Sequence, residues 1–207
     1  MVNSPQILQE LPSQTAGPYV HIGCVPKTAG LDTMYGGQHL GSQMINDKTL
    51  GTRISIEGKI YDGTGTPIKD GIIEVWQADA QGFFCSPEEK RGNPDQNFRG
   101  WGRQPTDRLT GAFQFETIKP GKTPYMATDK FQAPHLSIWV AARGVNLGLH
   151  TRMYFPEEVE ANDKDPILNR LEHQNRVHTL IAKPLSDGKY QFDIVLQGHN
   201  ETVFFDV

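Results

Sequence analysis

The chain has 207 residues, 37% of them hydrophobic and 21% charged, with a net charge of −4. That is long enough for one substantial core and too acidic for the basic footprint of a nucleic-acid or polyanion binder. There is no apolar run of about 18 residues, no leader-like N-terminus and no cysteine framework, only Cys24 and Cys85, so the expectation is a cytoplasmic protein with reduced thiols.

Residues 1–51 read as an N-terminal arm and extended segment, and residues 52–207 as the core of a single domain spanning 1–207. Pro18 lacks an N–H and biases Gly17 away from helix, so the arm is extended or turned there. From Cys24 to Gly51 no period of 2 or 3.6 is sustained. The apolar residues Met34, Tyr35, Leu40, Met44 and Ile45 nevertheless punctuate it, which predicts wrapping rather than disorder.

Regular alternation begins at Thr52. Ile54, Ile56, Gly58 and Ile60 mark a strand, Asp62-Gly63-Thr64-Gly65-Thr66-Pro67 a turn, and Ile72–Gln77 a second strand, which predicts an antiparallel pair. A polar excursion over 85–108 precedes a strand at 111–117, closed by the turn Lys119-Pro120-Gly121. Between Phe131 and Thr151 the sole formal charge is Arg143. This predicts two core strands joined near Arg143-Gly144-Val145-Asn146.

Pro156 and Asp165-Pro166 then open two short helices, the second with an apolar face at Ile167, Leu168, Leu171, Val177, Leu180 and Ile181. Alternating strands close the chain. The fold class predicted is mainly β: an antiparallel β-sandwich with long loops, an N-terminal arm and one or two short helices.

Chemistry is sparse on spacing alone. Arg143 at a sheet edge suits bidentate capture of a carboxylate. His135 has no HxH partner, and His150 reaches it only if the strand register allows. No GxSxG elbow and no phosphate loop is present.

Longer motifs carry more. PSQTAGPYVHIG (12–23), GKIYDGTGTPIKDGIIEVWQADAQG (58–82), NFRGWGR (97–103), TIKPG (117–121), APHLSIWVAARG (133–144), TRMYF (151–155), YQFDIVLQG (190–198) and the terminal ETVFFDV together resemble the intradiol ring-cleaving dioxygenases, and specifically an alpha-type chain of that family. The resemblance implies a hetero-oligomer in which Fe(III) is held by two tyrosines and two histidines of a beta subunit and not by this chain. At the matching positions this chain has Phe84, Thr123, His135 and Ser137, one ligand of four, and Gln132 stands near the place of a catalytic-chain arginine. No catalytic or metal-binding residue is therefore expected here.

The resemblance further implies that Thr15, Gly17 and Pro18 of the arm, with Arg143, line a substrate cleft at the alpha/beta interface. The implied reaction is cleavage of 3,4-dihydroxybenzoate by O2 to 3-carboxy-cis,cis-muconate on the β-ketoadipate route. Tyr19 and His21 are read as packing residues. Two alternatives stand beside this: a self-sufficient dioxygenase with ligands drawn from Tyr125, His135 and His150, and a non-enzymic β-sandwich binding module.

Overall fold

Alternation of isoleucine with polar residues sends Ile54, Ile56 and Ile60 of the first strand, β1 (Arg53–Tyr61), to one buried face. In the computed structural model, which describes residues 14–31, 33–37, 40–146 and 148–206, β1 anchors one sheet of a sandwich. β4 (Ala112–Ile118) lies antiparallel on one side of it, from Arg53 opposite Ile118 to Lys59 opposite Ala112. On its other side β10 (Lys189–Gln191) and β11 (Ile194–Val195) run parallel to it in succession, and β9 (Lys183–Ser186) extends the sheet beyond β10.

The second sheet has the order β3-β2-β7-β8, with β2 Ile72–Trp76, β3 Trp101–Pro105, β7 His135–Ala141 and β8 Leu149–Tyr154, all antiparallel. The core lies between the sheets. Ile54, Ile56, Ile60, Phe113 and Phe115 face Ile73, Val75, Leu136, Ile138, Val140 and Met153.

The expected mainly β sandwich is present, but β1 and β2 are not the pair expected from their alternation. The turn between them closes with Ile68 N–H donating to the Ile60 carbonyl at 2.8 Å, but the two strands belong to opposite sheets. Pro67 has no N–H for a ladder, and each strand needs its own sheet if its apolar face is to meet the other's. The central hairpin of β7 and β8 forms as expected, with Arg143 and Gly144 in its turn.

The first expected short helix is α2 (Val159–Asp163), counted after a one-turn α1 (Val20–Cys24) that follows the Pro18–Tyr19 turn and was not expected. The second expected helix resolves into 3-10 turns at Leu168–Arg170 and Gln174–Leu180. Its apolar residues explain this. Leu168, Leu171, Val177 and Leu180 fall at multiples of three, the period of the 3-10 helix, and pack with Ala133, Tyr154 and Ala161 in a second cluster. The Asp165 carboxylate accepts from Ile167 N and Leu168 N at 2.7 and 3.0 Å, as an N-cap does, and from Ala133 N at 2.7 Å.

The described part of the patternless stretch packs on this chain's own second sheet. Gly41 and Met44 carbonyls accept from Arg103 N and Arg99 N at 2.9 and 3.0 Å along β3, and Met44 enters the core. The part of the arm at residues 1–13 lies outside the described residues.

Gly58 lets this sheet close. A Cβ there would lie 1.9 Å from the Phe192 carbonyl oxygen, where the chain steps from β10 to β11 and Phe192 N–H donates to Glu57 O at 2.8 Å. Gly58→Ala is therefore expected to destabilise the fold by about 1–3 kcal/mol through overpacking, read as a lower midpoint in urea with an unchanged slope.

Candidate functional site

The two sheets present chemistry at opposite ends of β7. At one end, the β7–β8 turn projects Arg143. Its Nε lies 3.2 Å from the Asp70 carboxylate at the start of β2, and its side chain is 66% exposed. The next residue's N–H, that of Gly144, donates to the Thr15 hydroxyl at 2.9 Å, so the arm is stitched to the arginine-bearing turn. His21 of α1 is buried beside this group. Burial lowers its pKa, with the nearby cations Arg108 and Arg143 acting the same way and Asp70 opposing them.

Of the four residues predicted to line a substrate site, Thr15 and Arg143 thus meet through one turn. Gly17 and Pro18 follow Thr15 on the same arm, where the Gly17 carbonyl accepts from Val20 N at 3.1 Å. His21, read in sequence as a packing residue, completes the cluster with Asp70 and Arg108, which were not read as site residues. Asp70 reads in sequence as an ordinary turn acid, and nothing local marks its closeness to a turn more than seventy residues away. The Arg108 loop also borders an open groove of about 1090 Å³.

At the other end lies the outer face of the second sheet, bearing His135 and Ser137 of β7. Opposite Ser137 stands Arg152 on one side and Trp76 on the other, and Trp76 stacks on Phe84 with ring centres 6.1 Å apart and planes within 4°. Arg152 Nη1 donates to Gln132 Oε1 at 2.7 Å and approaches the Tyr154 hydroxyl at 3.4 Å. The Gln132 amide in turn donates to the Thr123 hydroxyl at 3.3 Å and the Pro124 carbonyl at 2.9 Å.

His135 is buried, stacks on Tyr154 at 5.5 Å, and holds Nδ1 2.8 Å from the Ala133 carbonyl. A carbonyl only accepts, so Nδ1 carries the proton and Nε2 keeps its lone pair. Burial first, and the Arg152 charge second, push its pKa down to about 4.

This arrangement does not suit a ferric ion. Fe(III) is stabilised by hard, anionic oxygen donors, and Phe84 and Thr123 supply no phenolate. His135 is oriented by a carbonyl as metal-binding histidines are, yet its companion position is a hydroxyl in register with a guanidinium. Among the described residues no group of three His, Cys, Asp or Glu side chains is placed to hold a metal. The alternative set fails on register. His150 lies opposite Trp139, whereas His135 lies opposite Tyr154, so four residues of strand, roughly 13 Å, separate the two. Tyr125 takes a hydrogen bond from Arg170 at 2.6 Å.

A family model described as "Dioxygenase" matches residues 36–198. The alpha chain of protocatechuate 3,4-dioxygenase from Pseudomonas putida is 43% identical over 204 residues, covering 97% of this chain and 98% of that one. The beta chain of the same enzyme from Burkholderia cepacia is 31% identical over 185 residues, covering 82% and 78%. Among solved structures, hydroxyquinol 1,2-dioxygenase from Pseudomonas putida DLL-E4 shares the fold with a TM-score of 0.54 at 20% identity, over 75% of this chain and 59% of that one.

Because the folded chain resists protonating His135 while the unfolded chain protonates it at 6.5, the unfolded state binds more protons between pH 6.5 and about 4, and stability rises with pH across that window. Acidification from pH 6.5 to 4.5 is expected to cost the native chain up to about 1.4 kcal/mol per pH unit from this residue. His135→Gln is expected to flatten that part of the profile, measured by urea unfolding at each pH. A variant with the native slope would remove His135 as the source.

Proposed function

The chain belongs to the intradiol dioxygenase family, and from that premise we propose that it is the alpha-type subunit of an assembly that cleaves 3,4-dihydroxybenzoate with O2, its beta-type partner holding the iron. The observation that carries this reading is the contrast between the two ends of β7. The face that the resemblance matches to a metal centre has Phe84 and Thr123 where it implies tyrosines, and carries Arg152, while the opposite turn presents a half-free arginine with the arm fastened beside it. Near-full-length similarity to an alpha chain, with a separate match to a beta chain, supports the same division.

In this reading the iron chemistry resides in the partner, and O2 is inserted between the hydroxyl-bearing carbons to give 3-carboxy-cis,cis-muconate. This chain contributes one wall of the cleft. Thr15, Gly17 and Pro18 give it shape, and Arg143 offers a guanidinium to the substrate carboxylate. Asp70 takes one edge of that guanidinium through Nε and leaves the other N–H groups for the substrate, which holds the fork in one orientation before substrate arrives. His21, kept neutral by burial and by the two arginines, adds no competing charge.

Arg143→Ala is expected to weaken binding of 3,4-dihydroxybenzoate by about 1–3 kcal/mol, roughly 5- to 150-fold, while leaving catechol, which lacks the carboxylate, changed by less than about twofold. Steady-state KM and inhibitor binding on the assembled enzyme read this, and equal losses for both ligands would rule out a carboxylate contact. Metal analysis of the same preparations should find iron with the partner and none with this chain purified alone.

A further inference from the structure

A second cavity lies apart from the Arg143 turn. It opens between the hairpin of β5 (Thr123–Pro124) and β6 (Phe131–Gln132) and the segment running from α2 to the Leu168–Arg170 turn, with a volume of about 610 Å³, within the roughly 300–1,000 Å³ of small-molecule sites. Gln132 and Ala133 close it on the β7 side, so the seven residues of β7, roughly 23 Å of strand, separate it from Arg143.

Its lining combines apolar and cationic side chains. Phe131, Ala161 and Pro166 form the apolar part, and Phe131 is 57% exposed, an aromatic ring left without cover. Four cations, Lys122, Lys130, Lys164 and Arg170, face two carboxylates, Asp129 and Glu160. Lys164 is spent on Glu160 at 2.6 Å. Arg170 is steered by the Tyr125 hydroxyl at 2.6 Å. Lys122 and Lys130 make no ion pair or side-chain hydrogen bond to an acidic group among the described residues.

The mouth is built. Tyr125 N–H donates to Lys130 O at 2.9 Å and the Thr128 hydroxyl to Tyr125 O at 2.6 Å. Between them Met126 is held at φ 51°, a left-handed backbone that non-glycine residues adopt at a cost.

We propose that this cavity is a non-catalytic binding site for a small aromatic carboxylate, its ring against Phe131 and Pro166 and its carboxylate between Lys122, Lys130 and Arg170. The aromatic platform requires a ring, and the surplus of positive charge requires an anion. The site makes no use of iron and does not depend on the cleft function assigned to Arg143.

The test is ligand-observed fluorine NMR with 4-fluorobenzoate on the full-length chain, alone and in the assembly it forms. In an Arg143→Ala background, where the cleft no longer competes for the carboxylate, saturable binding is expected to persist and to fall at least tenfold on adding Lys122→Gln/Lys130→Gln or Phe131→Ser. 4-Fluorobenzyl alcohol, with the ring but no charge, and inorganic phosphate, with the charge but no ring, should each bind at least tenfold more weakly. Binding that survives the double lysine variant in that background, or that phosphate or the alcohol matches, overturns the proposal. A loss caused only by Arg143→Ala would assign the ligand to the cleft instead and overturn it equally. Because binding is read directly, failure of turnover in the assembly leaves the result intact.

Discussion

The Asp79 carboxylate, almost wholly buried, is solvated by backbone instead of water, and much of the irregular part of this protein hangs from it. Its oxygens accept from the N–H groups of Gln81, Phe83 and Asp95 at 2.9–3.0 Å, and its own carbonyl accepts from Gly121 at 2.8 Å. A buried charge costs free energy unless it is fully hydrogen-bonded, so the three loop segments that supply these donors are held in one arrangement. Gly82 and Gly121 then pass so close that a Cβ on the first would lie 2.1 Å from the Lys122 carbonyl oxygen and one on the second 2.6 Å from Gly82 N. Phe84 and Thr123, which follow these glycines, are set around the same outer face for that reason. Asp95 extends the arrangement by accepting from Leu50 N at 2.7 Å, which ties down the strap before β1.

On that face one positive charge stands near where the family resemblance places another. Arg152 is satisfied by neutral oxygens, those of Gln132 and Tyr154, and lies over the Phe205 ring at 5.8 Å. Its field helps to keep His135 neutral, so a lone imidazole and a guanidinium coexist on adjacent strands without repulsion. The polar groups of this face are joined in a hydrogen-bonded Thr123–Gln132–Arg152 chain.

A sandwich whose second sheet is short and antiparallel has two ends, and the strands that carry one carry the other. β7 starts at the His135 face and finishes at the Arg143 turn. One end of such a strand can therefore lose its chemistry while the other keeps its geometry, because the core residues between them, Leu136, Ile138 and Val140, fix the strand regardless. The lysine-rimmed cavity beside Gln132 occupies the space left between that first end and α2.

The sandwich class, the β7–β8 hairpin and the Asp165 cap were legible in the sequence because each rests on local rules: period-two burial, a turn with glycine, and a carboxylate ahead of a helical turn. The longer motifs carried the family. Which strands pair was not legible, since the alternation of β1 and β2 reads the same whether they share a sheet or face each other across a core. The helical period of 165–181 was also misread, because residues spaced by three satisfy a 3-10 turn as well as part of an α-helix. Only the tertiary structure joined Thr15 to Gly144 and Arg143 to Asp70, and placed Arg152 opposite Ser137, because hydrogen bonds and register between residues far apart in the chain are set by how the sheets close and not by any neighbouring residue.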